Sequence, residues 1–152
     1  MPLLAKNKKA SFDYEILETH EAGLVLLGHE VKAVKAGQVS LKGSFMSPRT
    51  KNGKTELYLL SCQISPYKQA GDMPDYNQRR ERKLLLKRNE IARLLGKKQQ
   101  EGLTLIPLKI YTNHSFLKLE FAVARGKKKY DKRESIKKRD VERRLRSLTK
   151  RA

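Results

Sequence analysis

The stretch LTLIPLKIYTNHSFLKLEFAVA, residues 103–124, decides the fold because it holds two apolar segments joined by a short polar turn. In its second half, Leu119 and Phe121 alternate with Lys118 and Glu120. Alternation with a period of two is typical of a strand that buries one face. The stretch therefore predicts an antiparallel hairpin across TNHS.

Other segments predict further strands. Pro107 lacks a donor for the strand ladder, so its strand is expected at an edge or at a bulge. Residues 44–64 predict a second hairpin, because Asn52-Gly53 suits the positive φ angles of a tight turn. The segments SFDYEILE, residues 11–18, and GLVLLG, residues 23–28, predict two separate strands.

Two segments predict helices. HEVKAVKAG, residues 29–37, repeats its apolar residues at three to four positions and ends in a glycine that can stop a helix. NEIARLLGKKQQEG, residues 89–102, has the same period and the same ending. The segment 67–82 between them follows neither period and predicts a long loop.

These elements predict a mainly β protein with short helices. About six antiparallel strands without βαβ alternation favour one barrel of the oligonucleotide-binding type. We expect a flexible N-terminus over residues 1–10, the barrel over 11–125 and a basic C-terminal tail over 126–152. The length of 152 residues suits one such domain.

Charge is the strongest indication of a binding partner. The formal net charge is +19, and residues 126–152 carry 13 Lys and Arg against 4 Asp and Glu, a net +9. A charge of this size attracts a polyanion and releases its counterions. Nucleic acid is favoured over a membrane surface, because the basic segments have no broad apolar face and no run approaches the length of a spanning helix.

The pattern of reactive residues does not indicate an enzyme. The three histidines are scattered, and no nucleophile motif, phosphate loop or metal-ligand spacing occurs. The single cysteine, Cys62, reads as a buried strand residue. The N-terminal apolar run is shorter than that of a signal peptide, so we expect a cytoplasmic binding protein without catalysis, cofactor or metal.

Two clusters of residues are candidates for contacts with nucleic acid. Lys32, Lys35 and Lys42 can line one surface of a barrel and meet phosphates, although lysines are common on any surface helix. The segment RRERKLLLKR, residues 79–88, surrounds three leucines with basic residues. Three consecutive leucines cannot all point inward, so we expect one to be exposed, where it can pack on a base or ribose.

Several motifs in order resemble the small protein B family, whose members are the bacterial protein partners of transfer-messenger RNA. They are DYEILETHEAGLVLLGHEVKAVKAG, YLLSCQISPY, RKLLL, GLTLIPLKIY and ARGKKKYDKRESIKKRD. The resemblance implies an oligonucleotide-binding barrel that grips the tRNA-like domain of transfer-messenger RNA at its elbow and D-loop. It also implies delivery to stalled ribosomes, where the protein replaces an anticodon stem and codon in the decoding centre during trans-translation. We expect a monomer, one per RNA.

The resemblance also implies which residues bind RNA. The family's RNA-binding surface falls on Glu21, Glu30, Lys32, Lys35, Leu85 and Lys87. The two glutamates cannot neutralise phosphate, so we expect them to accept from base amino groups or ribose hydroxyls, or to brace a lysine. The chain departs from the family pattern at Lys87, where many members have His or Asn, at Asn89, where they have Arg, and in the NHSF turn.

The tail has too few apolar residues to fold alone, so we expect it to be disordered in the free protein. Three acid-to-base pairs at a spacing of four residues and a thin apolar stripe make it a conditional helix. The resemblance implies that it becomes helical in the message channel of the ribosome. The matching residues, including an aromatic ring that can stack on a base, are Gly126, Lys127, Lys128, Tyr130, Asp131, Lys132 and Arg133.

Two other functions remain open from the sequence. A structural ribosomal RNA-binding protein would suit a basic barrel with a basic tail equally well. An RNA-processing enzyme is the weaker alternative, because no catalytic constellation appears.

Overall fold

The computed structural model describes residues 3–99, 102–127 and 138–145. The strands are β1 (Leu3–Lys6), β2 (Tyr14–Leu24), β3 (Val39–Ser40), β4 (Phe45–Lys51), β5 (Lys54–Leu60), β6 (Gln63–Ile64), β7 (Arg82–Leu85), β8 (Leu103–Asn113) and β9 (Phe116–Gly126). The helices are α1 (Ala10–Asp13), α2 (Gly28–Lys35), α3 (Arg88–Gln99) and α4 (138–145), with a 3-10 turn at Lys68–Ala70.

The described strands form one antiparallel sheet of seven strands in the order β1-β8-β9-β2-β7-β5-β4, and β3 pairs with β6 separately. The sheet curls, because β4 at one edge approaches β8 near the other and β1 approaches β3. The prediction of a mainly β protein with short helices in one antiparallel barrel-like sheet is confirmed, with more strands than the six or so expected.

The predicted hairpins are confirmed, and local residue chemistry explains their turns. The β8–β9 pair closes at His114-Ser115, and both residues have positive φ. The β4–β5 pair closes at Asn52-Gly53, with φ of 52° and 75°. Pro107 lies between β1 and β9 at a shift in register, which is the bulge that its missing donor predicts.

The core fills the inside of the curled sheet. Phe121 and Leu119 on β9 are fully buried, and α3 covers the core with Leu94. The two helices predicted from their period are therefore confirmed as α2 and α3. Cys62 is buried as expected, and this burial raises the pKa of its thiol to about 11.

Two strand predictions were wrong. Ser11 and Phe12 lie in the short helix α1, so the alternating segment from residue 11 becomes a strand only from Tyr14. Residues 23–28 do not form a strand of their own, because β2 runs unbroken to Leu24 and α2 begins at Gly28. Periodicity over four residues does not distinguish a helical turn from a strand end.

The N-terminus differs from the flexible segment expected over residues 1–10. Residues 3–6 form β1, which pairs antiparallel with β8. Asn7 continues this attachment, since its backbone N–H donates to the Leu108 carbonyl at 2.7 Å and its side chain donates to the Pro107 carbonyl at 2.9 Å. Residues 3–7 are therefore attached to the sheet.

Within the C-terminal tail, residues 138–145 form an exposed helix, which is the conformation that the tail's acid-to-base pairs favour. The disorder of the tail in the free protein stays a prediction. The guanidinium of Arg139 lies 5.3 Å from the ring centroid of Phe12 on α1. Within the three described ranges, no helix is long and apolar enough to cross a membrane.

Two phenylalanines of β9 provide a matched test of this core. Phe121 is 0% exposed and stacks on His20, whereas Phe116 is 69% exposed. Phe121→Ala should lower the free energy of unfolding by about 3–5 kcal/mol, because it leaves a cavity in the core. Phe116→Ala should change it by less than about 0.5 kcal/mol. Urea unfolding measures both, and equal losses would contradict the assigned core.

Candidate nucleic-acid interface

Helix α2 presents two of the predicted lysines on its exposed face. The Leu27 backbone N–H at the start of the helix donates to the Glu30 carboxylate at 2.9 Å, and Gly37, with φ of 80°, follows its end. Ala33 is fully buried, while Lys32 and Lys35 are exposed three residues apart. The Lys32 ammonium lies 6.0 Å from the ring centroid of Tyr67.

Glu30, which we expected on the RNA-binding surface, is instead 0% exposed. Its Oε1 accepts from Arg80 Nη2 at 2.5 Å, and its Oε2 accepts from Arg82 Nη2 at 2.5 Å and from the Tyr76 hydroxyl at 2.9 Å. A buried carboxylate with these partners has no face left for a ligand. Of the two roles expected for Glu30, its contacts fit the bracing of a neighbouring cation, although the cations are Arg80 and Arg82 rather than a lysine.

Arg82 is the second fully buried charge, at the start of β7. Beyond Glu30, it donates to the backbone carbonyl of Cys62 at 2.6 Å and to that of Gln78 at 3.1 Å. These bonds tie α2, the end of β5 and the 67–82 loop to one guanidinium. The loop has little regular structure, but these bonds anchor its second half through Tyr76 and Gln78.

The buried network changes the acidity of its members. Burial raises the pKa of Glu30, but hydrogen bonds from Arg80, Leu27, Arg82 and Tyr76 outweigh it and lower the pKa to about 2. Burial and the bond to Glu30 raise the pKa of the Tyr76 hydroxyl to about 12. The network therefore keeps the Glu30 carboxylate ionised across the physiological range.

One of the three consecutive leucines is exposed, as predicted. Leu84 is fully buried and Leu86 packs partly against the core, whereas Leu85 is 55% exposed. Leu85 pairs with Gly23 of β2, and a Cβ on that glycine would lie 3.2 Å from the Leu85 Cβ. The glycine thus leaves room for the leucine on the outer face of the sheet.

Glu21 lies two residues before Gly23 on β2, so both point to the same face of the sheet. Its exposed carboxylate accepts a hydrogen bond from the Tyr111 hydroxyl and lies 3.9 Å from the Lys118 ammonium. Burial and the neighbouring Glu21 raise the pKa of Tyr111, which keeps that hydroxyl a donor. Glu21 is therefore braced by its neighbours and diagonal to Leu85 across the pair.

The structure brings three of the predicted body residues together at the β2–β7 pair. Lys87 is exposed directly after β7, two residues from Leu85, and Glu21 lies diagonally across the pair. The Glu30–Arg82 pair joins α2, with its two exposed lysines, to the start of the same strand. The β2–β7 pair thus presents an exposed apolar residue with one lysine and one carboxylate beside it, an arrangement that suits a base or ribose next to a phosphate.

Sequence reasoning missed two kinds of residue here. Val25 and Leu27, 43% and 47% exposed, extend the apolar surface between β2 and α2. The sequence predicted a strand over residues 23–28, so the exposure of these two side chains after the end of β2 was not expected. The contacts of Arg80 and Arg82 with Glu30 were also missed. These arginines lie 50 and 52 positions after Glu30 in the sequence, and no local pattern indicates such distant contacts.

The base of the tail lies at the other end of β2. Gly126 pairs with Tyr14, and the Lys127 backbone N–H donates to the Asp13 carbonyl at 2.9 Å. Tyr14 and Gly23 are nine residues apart, which is about 30 Å along a strand. The predicted tail residues Lys128, Tyr130, Asp131, Lys132 and Arg133 lie outside the described residues.

The remaining titratable groups of the described chain do not form a metal centre, since no group of three or more His, Cys, Asp or Glu in it is placed to hold an ion. His20 contacts Glu18 at 2.7 Å, and Lys97 donates to the same carboxylate at 2.6 Å. Hydrogen bonds from Lys97 and His20 lower the pKa of Glu18 to about 2. This triad ties α3 to β2.

The buried charge pair makes a first prediction for this side of the molecule. Glu30→Gln should lower the free energy of unfolding by about 3–5 kcal/mol, because it leaves Arg82 buried without its counter-charge. Combining Glu30→Gln with Arg82→Met should cost less than the sum of the two single changes. Chemical unfolding of the four proteins measures this coupling, and additive losses would show that the pair does not act as a unit.

The lowered pKa of Glu30 makes a second prediction, on pH. Its pKa is about 2 in the folded chain against an ordinary 4.5, so its stabilising effect is present above about pH 5 and is lost as the pH falls toward 2. The difference in unfolding free energy between the unchanged protein and Glu30→Gln should shrink over this window. A difference that stays constant from pH 6 to 2.5 would contradict the assignment.

Comparison with known proteins agrees with the fold. Residues 4–151 match the family model described as SmpB protein. The SsrA-binding protein of Thermosipho melanesiensis is 50% identical over 151 residues, which is 99% of each chain. That of Acaryochloris marina is 46% identical over 149 residues, covering 98% of this chain and 94% of the relative.

A solved structure described as "tmRNA-SmpB: a journey to the center of the bacterial ribosome" contains a similar chain. It matches with a TM-score of 0.64 and 47% identity, over 86% of this chain and 92% of the other. Because the family model and these relatives span almost the whole sequence, the chain belongs to the SmpB family.

Proposed function

We propose that this protein binds the tRNA-like domain of transfer-messenger RNA and delivers it to stalled ribosomes, where incomplete peptides are tagged. Membership of the SmpB family, whose curated relatives are named SsrA-binding proteins, is the observation that carries the proposal. The protein acts by binding, in the bacterial cytoplasm where ribosomes translate, as a monomer with one copy per RNA.

The body surface supports this proposal physically. Lys32 and Lys35 on α2 and Lys87 after β7 are exposed and supply positive charge for phosphates. Leu85 offers an apolar contact for a base or ribose. Such a base must be unstacked, as bases in the loops at a tRNA-like elbow can be. Glu21, held by Tyr111, can accept from a base amino group or a 2′-hydroxyl.

The tail supplies the second half of the proposed function. It leaves the sheet at Gly126 and Lys127, at the end of β2 away from Gly23. The body can therefore hold the RNA while the tail, with Lys128 and Tyr130 to Arg133, enters the decoding centre and the message channel. There it takes the place of an anticodon stem and codon, and its basic residues meet ribosomal RNA.

Leu85→Ala tests the body surface. Losing this apolar contact should weaken binding to a tRNA-like domain fragment by about 1–2 kcal/mol, roughly 5- to 30-fold, without changing the melting temperature. Leu3→Ala is a matched control, because Leu3 is 54% exposed at the edge strand β1. Filter binding and thermal melting measure both, and equal affinities for the two variants would exclude Leu85 from the interface.

Truncation after Lys129 tests the division between body and tail. The shortened protein should keep most of its affinity for the tRNA-like domain at matched ionic strength but should no longer support tagging of incomplete peptides on stalled ribosomes. Loss of both activities together would show that the tail is part of the grip on the RNA.

RNA recovered with the protein from its own cells tests the function as a whole. Transfer-messenger RNA should be enriched, and the protein should be scarce on translating ribosomes. A pool without transfer-messenger RNA, with the protein present on every ribosome, would instead support a structural ribosomal role.

A further inference from the structure

A groove of about 750 Å³ lies between the N-terminal segment and the β3–β4 connection, away from the surface around Leu85. One wall runs from Ala5 to Ala10, and the other runs from Val39 to Phe45. Tyr14 also lines it, so the groove lies at the end of β2 that is about 30 Å from Gly23. It is therefore a separate surface.

Both walls are fixed by hydrogen bonds. Asn7 is bonded to the backbone of β8 through its N–H and its side chain, at 2.7 and 2.9 Å. In the other wall, the Ser44 hydroxyl donates to the Leu41 carbonyl at 2.6 Å, and Gly43 takes the positive φ of 74° that the turn requires. A groove with two anchored walls loses little conformational entropy when it binds a ligand.

The lining of the groove is strongly basic. Four exposed lysines lie on its two walls: Lys6, Lys8, Lys9 and Lys42. Asp13 is the one acidic residue among its described lining residues.

Ion pairs distinguish these lysines from others on the sheet. Lys83, Lys97, Lys109 and Lys118 each lie within 4.0 Å of a glutamate carboxylate. Within the described parts of the chain, no such ion pair involves the four groove lysines. Their charge is therefore available to a ligand from outside.

Phe45 adds an aromatic face to this basic groove. It begins β4, lines the groove and is 48% exposed, so part of its ring is accessible to a ligand in the groove. Aromatic rings beside a basic groove are the combination that binds unpaired nucleic acid, because each base can stack on the ring while lysines follow the phosphates.

We propose that this groove is a second RNA-binding site, which holds an unpaired RNA segment with one base on Phe45 and phosphates on Lys8, Lys9 and Lys42. The chain's own tail does not suit it, because residues 126–152 carry a net +9 and would be repelled. Tyr14, which lines the groove, pairs with Gly126, where the tail leaves the sheet. An RNA held there lies next to the tail, while the Leu85 surface remains free.

The binding test uses the full-length protein and a fluorescent ten-nucleotide oligouridine. Phe45→Ala should weaken binding of this probe about 5-fold or more, as expected for a lost stacking contact. Phe116→Ala, which removes an exposed ring outside the groove, should leave binding unchanged. Equal affinities of the two variants would overturn the proposal.

Lysine variants test the charge. Lys42→Ala should lower the slope of log K against log salt by about 0.7, the value for one phosphate contact on a single strand. Lys54→Ala, at the tip of the β4–β5 hairpin, should leave the slope unchanged. An oligoglutamate of equal charge that binds as tightly as the oligouridine, with the same dependence on Phe45, would show a peptide site rather than an RNA site.

A competition test separates this site from the one proposed above. A saturating tRNA-like domain fragment should not displace the oligouridine whose binding depends on Phe45. Displacement of the oligouridine would show that both RNAs bind the same site and would overturn the proposal. The outcome is independent of the proposed function, which the Leu85→Ala measurement tests.

Photocrosslinking identifies the source of the RNA. A photoreactive phenylalanine analogue at position 45 should crosslink either to transfer-messenger RNA alone or to ribosomal RNA in stalled complexes, and the same analogue at position 116 should crosslink to neither. Absence of any RNA crosslink from position 45 in both preparations would overturn the proposal.

Discussion

The buried pair of Glu30 and Arg82 is the interaction on which the candidate RNA surface depends. Two full charges are removed from water, and their hydrogen bonds to each other and to Arg80, Tyr76 and Cys62 offset the cost of desolvation. Such a pair adds little net stability compared with an apolar contact of the same shape. Its effect is geometric, because it holds helix α2, which carries two exposed lysines, against the start of strand β7, which carries Leu85.

The distribution of charge around the sheet follows from which lysines have partners. Four lysines on β7, β8, β9 and α3 are each matched with a glutamate on a neighbouring strand, so their charges are compensated locally. The exposed lysines of α2, Lys87 and the lysines of the groove have no such ion pair within the described parts of the chain, and the tail adds a net +9. A net charge of +19 spread evenly would attract RNA without orientation, whereas this arrangement gives the attraction a direction.

Local sequence patterns predicted the elements whose structure depends on residues close together in the chain. The β8–β9 and β4–β5 hairpins, the helices α2 and α3, and the exposure of one leucine among residues 84–86 follow from period and turn chemistry. The predictions failed where distant contacts decide. Strand β1 exists because β8 offers a free edge about a hundred residues away, and Glu30 is buried because Arg82 is folded against it. A carboxylate in a lysine-rich helix looks like a surface residue unless its partner is known.

Strand β2 relates the two ends of the molecule. Gly23 near one end makes room for Leu85, and Tyr14 at the other end pairs with Gly126, from which the tail begins. Because β2 is held by β9 along its length, Leu85 and the point where the chain leaves at Gly126 are separated by about 30 Å of strand. In the proposed function this separation makes the protein a spacer between the RNA at Leu85 and the ribosome at the tail, and the proposed RNA groove lies at the tail's end of the spacer.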